Sequence, residues 1–152
     1  MVLDTECIRD VMTYLADHIN FYKDEDSKFR YMEVSTTQLC KDEDLKSKYE
    51  PDVIVYTVLQ LYHAGFLVCS KIGEDSDSFY HIHVRDITWN GHEFLGNIKS
   101  ETVWTHTKAC AKKLGISSVK GIFQLAGQVT TAIIADPKNM QAIQSSISNV
   151  FR

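Results

Sequence analysis

No run in this chain approaches the roughly 18 to 20 consecutive apolar residues that a membrane-spanning helix needs, so its apolar residues are expected to build a core. The opening residues MVLDTECIRD lack the basic and long apolar regions of a secretory signal, and the expectation is a cytosolic protein. Its four cysteines (Cys7, Cys40, Cys69 and Cys110) are scattered without a C-x-x-C pair, which argues for reduced, structural thiols rather than disulfides or a zinc site. Also missing are the G-x-x-x-x-G-K-[ST] loop, the G-x-G-x-x-G turn, the H-E-x-x-H helix and the G-x-S-x-G elbow. Without them no enzyme, no cofactor and no small-molecule substrate is expected. Internal repeats and low-complexity segments are lacking too.

What remains is an ordinary globular composition of 152 residues, 44% hydrophobic and 24% charged, long enough to fold without a metal or a disulfide. The net charge of −4 is unevenly spread: residues 1–50 carry −5, residues 51–100 carry −3, and residues 101–152 carry +4. Overall acidity disfavours a non-specific polyanion binder, while the basic tail permits a local anionic contact.

The middle third organises the chain. Pro51 to Leu95 reads as helix, tight turn, strand, acidic loop, strand and the start of another helix. Asp52 is placed to cap the first of these helices, whose apolar surface comes from Val53, Val55, Tyr56, Leu59, Leu61 and Tyr62, and Gly65 suits its left-handed C-terminal cap. Phe66 to Lys71 and Phe79 to Arg85 alternate as strands do, with Gly73 to Ser78 as the turn between them. Helix, β-hairpin and helix in this order predict an α+β, winged-helix-like domain over residues 1–99. Residues 100–152 are expected to form a C-terminal helical extension, packed on that domain or used for dimerisation.

Around this centre, Asp4 or Thr5 starts a helix in which Ile8, Val11, Met12, Leu15 and Ile19 recur at helical spacing. By composition Tyr22 to Lys28 is a solvated loop, and Phe29 to Val34 a short strand. Ser35 or Thr36 suits the cap of a short helix, and Asp42 or Glu43 that of a second through Tyr49. Ser100 and Gly115 bound a further helix from Glu101 to Leu114, and Ser117 or Ser118 starts another running through Ile134. Asp136-Pro137 signals a last restart, with Met140, Ile143, Ile147 and Val150 on one face.

The run Ile87-Thr88-Trp89-Asn90-Gly91-His92-Glu93-Phe94-Leu95, with Trp104 beyond it and His63-Ala64-Gly65-Phe66-Leu67 before it, resembles domain-of-unknown-function family 2513 (DUF2513) over most of the chain. The resemblance implies a bacterial or phage protein with a winged-helix-like fold, and it brings no activity or catalytic residue with it. Physically the motif is structural. The Thr88 hydroxyl can cap the helix, Gly91 allows close backbone approach, and Trp89, Phe94 and Trp104 offer anchoring surfaces. His92 and Glu93 suit a hydrogen-bonded pair or a surface position better than an acid/base pair, because adjacent helical residues point apart.

His81 and His83 lie two apart on one strand face, a geometry able to chelate zinc, yet no further ligand stands at a recognisable spacing. A winged helix invites DNA binding, but Asp52 to Ala64 contains no Lys or Arg, and the wing sets Glu74, Asp75 and Asp77 against Lys71. Groove readers need cations to neutralise phosphates. Lys108, Lys112, Lys113 and Lys120 form the basic cluster available for a nucleic-acid backbone, against the plainer reading of a solvated helix face. The sequence therefore points first to a non-enzymatic protein-interaction or regulatory module with a protein partner or a homodimer. A DNA-binding transcriptional regulator is the alternative.

Overall fold

In the computed structural model of the chain, which describes residues 1–74 and 80–135, the Asp4 carboxylate accepts from the Cys7 backbone N–H at 3.1 Å and opens helix α1, Thr5–His18. Ile8, Val11, Met12 and Leu15 recur along one side of α1 and are fully buried. The chain then departs from the expected loop. Asn20–Lys23 is strand β1, paired antiparallel with β2, Phe29–Met32, and only the turn between them is irregular. Asp24 builds that turn: one carboxylate oxygen accepts from the amides of Asp26 and Lys28, and the other from the Arg30 guanidinium at 2.9 Å. Ser27 takes the left-handed conformation there (φ 62°). The strand expected over Phe29 to Val34 is thus divided, and the separate two-residue β3, Val34–Ser35, joins another sheet.

Ser35 caps α2, Thr36–Lys41, and Asp42 caps α3, Glu43–Lys48, accepting from the amides of both Asp44 and Leu45. Helix α4, Pro51–His63, corrects the expectation for Asp52. Its N-cap is Glu50, which makes no side-chain cap bond, and Asp52 accepts instead from its neighbour Val53. The reason lies in Pro51, whose fixed φ and missing N–H suit the first helical position and start the helix one residue earlier. Gly65 ends α4 at φ 82°, as its place in the sequence requires.

β4, Leu67–Glu74, and β5, Tyr80–Ile87, pair antiparallel, and β3 adds to the other side of β5, giving the order β3-β5-β4. Two register shifts between Val68 and Lys71 break the regularity of β4. Thr88 caps α5, Trp89–Ile98; Ser100 and Gly115 bound α6, Glu101–Leu114; α7 is Val119–Ala135. The described residues therefore hold seven helices and two small antiparallel sheets, an α+β protein. No helix among them is long and apolar enough to cross a membrane. The restart at Asp136-Pro137 and the residues Met140, Ile143, Ile147 and Val150 lie outside the described residues, as do Asp75 and Asp77.

One hydrophobic cluster runs through the whole, from Ile8 and Met12 of α1 to Ile122 and Leu125 of α7. Phe66, Phe94 and the partly buried Phe123 join the entry to β4, α5 and α7, with ring centroids 5.2 to 5.8 Å apart and Phe94 edge-on to Phe123. Such aromatic pairs add about 0.5–1.5 kcal/mol each beyond area burial. Arg9 fastens α1 to the α5–α6 corner by donating to the carbonyls of Ile98 (2.9 Å) and Lys99 (3.1 Å) and to Glu101 (2.6 Å). Those carbonyls belong to the unsatisfied end of α5, so a distant cation completes a helix terminus.

Candidate interaction surface

The β1–β2 hairpin gathers the exposed apolar residues Phe21, Tyr22, Phe29, Tyr31 and Met32. Every residue of both strands is exposed, including Phe21 (57%), Phe29 (66%) and Met32 (53%). Phe21 lies opposite Tyr31, with ring centroids 4.9 Å apart, and stacks on Phe29 at 5.3 Å. Strand alternation puts these three rings on one face. Glu33 ties the hairpin's end to the larger sheet: it accepts from Ser70 of β4 at 2.8 Å and from Arg85 of β5 at 3.3 Å. The Arg85 guanidinium also stands over the Tyr31 ring, 5.4 Å from its centroid. An isolated two-stranded ribbon with apolar residues on both faces is marginal in water, so this geometry suits a covered surface.

Helix α4 turns Ile54, Thr57, Val58 and Leu61 into the core and leaves Tyr62 and His63 exposed at its C-terminal end. No Lys or Arg lies anywhere along it. Its outward side is thus neutral to acidic and partly apolar.

The Thr88 motif assembles the junction between sheet and helix. The Thr88 hydroxyl accepts from the Gly91 amide at 3.1 Å and donates to the Gly65 carbonyl at 2.7 Å, while the Thr88 amide donates to the Phe66 carbonyl at 3.0 Å. A β-carbon on Gly91 would stand 2.3 Å from that Phe66 oxygen and 2.6 Å from the Ile87 side chain, so the glycine is required by close packing. Phe94 is fully buried, and Trp104 is 1% exposed with its indole donating to Glu6 at 3.3 Å. Trp89 overturns the anchoring expectation. It is 86% exposed, because α5 turns Gly91, Phe94 and Leu95 to the core and leaves position 89 on the other side. His92 and Glu93 both lie on the surface. Glu93 borders a groove of about 890 Å³ between α5 and α7, with Asn97, Gln124, Gln128 and Thr131 among its other lining residues.

The basic cluster is only partly available. Lys108 pairs with Glu6 and lies 5.8 Å from the Trp104 ring centroid, so its charge is engaged within the fold. Lys112, Lys113 and Lys120 are exposed around the α6–α7 turn. His81 and His83 share one face of β5, alternating with the buried Ile82 and Val84, and are half-exposed in both cases. His81 contacts the Thr37 hydroxyl at 3.0 Å, and His83 stands 3.8 Å from Glu33. Among the described residues no group of three His, Cys, Asp or Glu side chains is arranged to hold a metal ion. Burial pushes the Cys7 and Cys69 thiols up to about 11, and raises Cys40 and Cys110 as well, which leaves these groups protonated and poorly nucleophilic near neutrality.

Sequence reasoning missed the hairpin and the roles of Arg9 and Glu33. A signal for the hairpin was present in Phe21, Tyr22, Phe29 and Tyr31, aromatic residues on both sides of a charged turn. Arg9 and Glu33 had none, since their partners lie far away along the chain.

The family model described as "Hypothetical protein (DUF2513)" matches residues 2–117, and the chain belongs to that family. No curated protein and no solved structure matches it.

Proposed function

We propose that this DUF2513 member, of bacterial or phage origin, is a winged-helix-like regulatory module that contacts another protein through its surfaces and has no reactive centre. The order α1, β3, α2, α4, β4, β5 and the sheet order β3-β5-β4 support the winged-helix reading. The observation that carries the protein-contact reading is the β1–β2 hairpin, a solvent-facing aromatic ribbon whose Arg30 is paired with Asp24, while Arg85 of β5 beside it is paired with Glu33. Helix α4 supports it from the other side. A helix without Lys or Arg offers nothing to neutralise phosphates in a groove. The high-lying thiols favour a non-enzymatic role.

Lys112, Lys113 and Lys120, exposed around one turn, favour a second reading in which the module holds a nucleic-acid backbone there. An electrophoretic shift with mixed duplex DNA at low salt separates the two. The protein-contact reading expects no shift. A shift abolished by changing all three lysines to Glu would replace it with the DNA-binding regulator.

A further inference from the structure

We propose that the β1 edge of the hairpin pairs with the β1 edge of a second copy of the chain, joining two hairpins into one four-stranded antiparallel sheet with a shared aromatic face. The proposal rests on the protein-contact reading and names the partner. Among the outer edges of the two sheets, β4 and β1 differ in how they are protected. Strand β4 is disrupted by its two register shifts, the usual device against edge-to-edge pairing. Strand β1 pairs with β2 through four successive residues without a shift, contains no proline, and presents its far edge to solvent. The Phe21 amide donates to the Asn20 side chain at 3.1 Å, a local bond that pairing would exchange for one to the partner strand.

Charge favours a second copy over an ionic partner. Asp24 holds Arg30 at the turn, and Lys23 is the one charged residue of β1. A two-fold centred on Phe21 pairs that residue with its counterpart and sets Lys23 of each copy opposite Ile19 of the other, so both aromatic faces lie on one side and no like charges meet. The interface is self-complementary, as a two-fold contact must be. Size agrees with a modest, concentration-dependent dimer. At ~200 Å² per aromatic side chain, Phe21, Tyr22, Phe29 and Tyr31 expose roughly 400 Å². Edge-to-edge pairing covers only part of this area, so the interface stays well below the ~800 Å² per partner of standard interfaces.

Light scattering across a wide concentration range tests the pairing. The mass is expected to rise from 17.4 kDa towards twice that value. Phe21→Asp and Phe29→Asp are each expected to weaken association by about tenfold or more with little change in melting temperature, since both rings are exposed. Trp89→Asp, on another surface, is expected to leave the dimer intact. Hydrogen exchange is expected to show the β1 amides that point away from β2 becoming protected as concentration rises. A chain that stays monomeric throughout, or a dimer indifferent to Phe21→Asp and Phe29→Asp or without β1 protection, overturns the self-pairing. Those outcomes leave the protein-contact reading standing, because that reading falls only to the DNA shift described above.

Discussion

Asp24 concentrates the hairpin turn in one side chain. Its bond from Arg30, followed by the backbone bonds from Lys28 and Asp26, holds its carboxyl below the ordinary value of 3.8. A depressed pKa stabilises the turn fully above 3.8, and that contribution is lost as pH falls further, through the lower value of the folded state. The protection factors of the Asp26 and Lys28 amides are accordingly expected to fall in that acidic range, and Asp24→Asn to remove that change. Cys7 works in the opposite direction. Its thiol is protonated in both states below 9.0; above that the unfolded thiol ionises while the folded one holds its proton to about 11. Stability is therefore expected to fall from pH 9 to 11, with a slope from this group of at most about 1.4 kcal/mol per pH unit. Denaturant melts of Cys7→Ala should show a flatter profile over that interval, and an unchanged slope would remove Cys7 as the cause. At this scale the sequence is legible where a residue acts on its near neighbours, as Asp4, Ser35, Thr88 and Ser100 do in capping helices. Trp89 was illegible, since nothing local tells a buried indole from one on the solvent side of its helix.

Helix α5 and the hairpin show the two limits of element-scale reading. Gly91 sits on the side of α5 that meets the β4 entrance, and Gly91→Ala forces a β-carbon into the Phe66 carbonyl. The clash is with backbone, so the substitution is expected to cost about 1–3 kcal/mol or more in chemical denaturation. Thr88→Val removes the cap on Gly91 and the bond to Gly65 together, and is expected to cost about 1–2 kcal/mol, with Thr88→Ser retaining most of the stability. Both positions announce themselves, because a cap residue three before a glycine is a local pattern. Strand β1 did not. Four residues are too few to establish a period, and Lys23, Asp24, Glu25 and Asp26 beside it weigh the composition towards loop. Helix α4 erred for a similar reason: Asp52 and Pro51 both signal a helix start, and the proline prevailed.

Across the whole molecule, α7 places Ile122, Leu125, Ala126 and Phe123 against the same core that α1 and α5 build. A chain cut after residue 117, the end of the family match, is expected to lose about 1.5–3 kcal/mol for each large apolar side chain withdrawn and to melt at much lower temperature, if it folds cooperatively at all. Calorimetry on the truncated chain checks this, and a melt equal to the full chain's would show that α7 is dispensable. The sequence by itself determined the positions of the helices, the central β-hairpin, the α+β class and the lack of positive charge on α4. Each of these follows from spacing and composition over short stretches. Tertiary structure alone decided that Arg9 completes the end of α5, that Lys108 is engaged by Glu6, and that the aromatic hairpin stands in solvent. Those outcomes depend on contacts between residues scores of positions apart, or on which face the core leaves uncovered, and no local pattern encodes either.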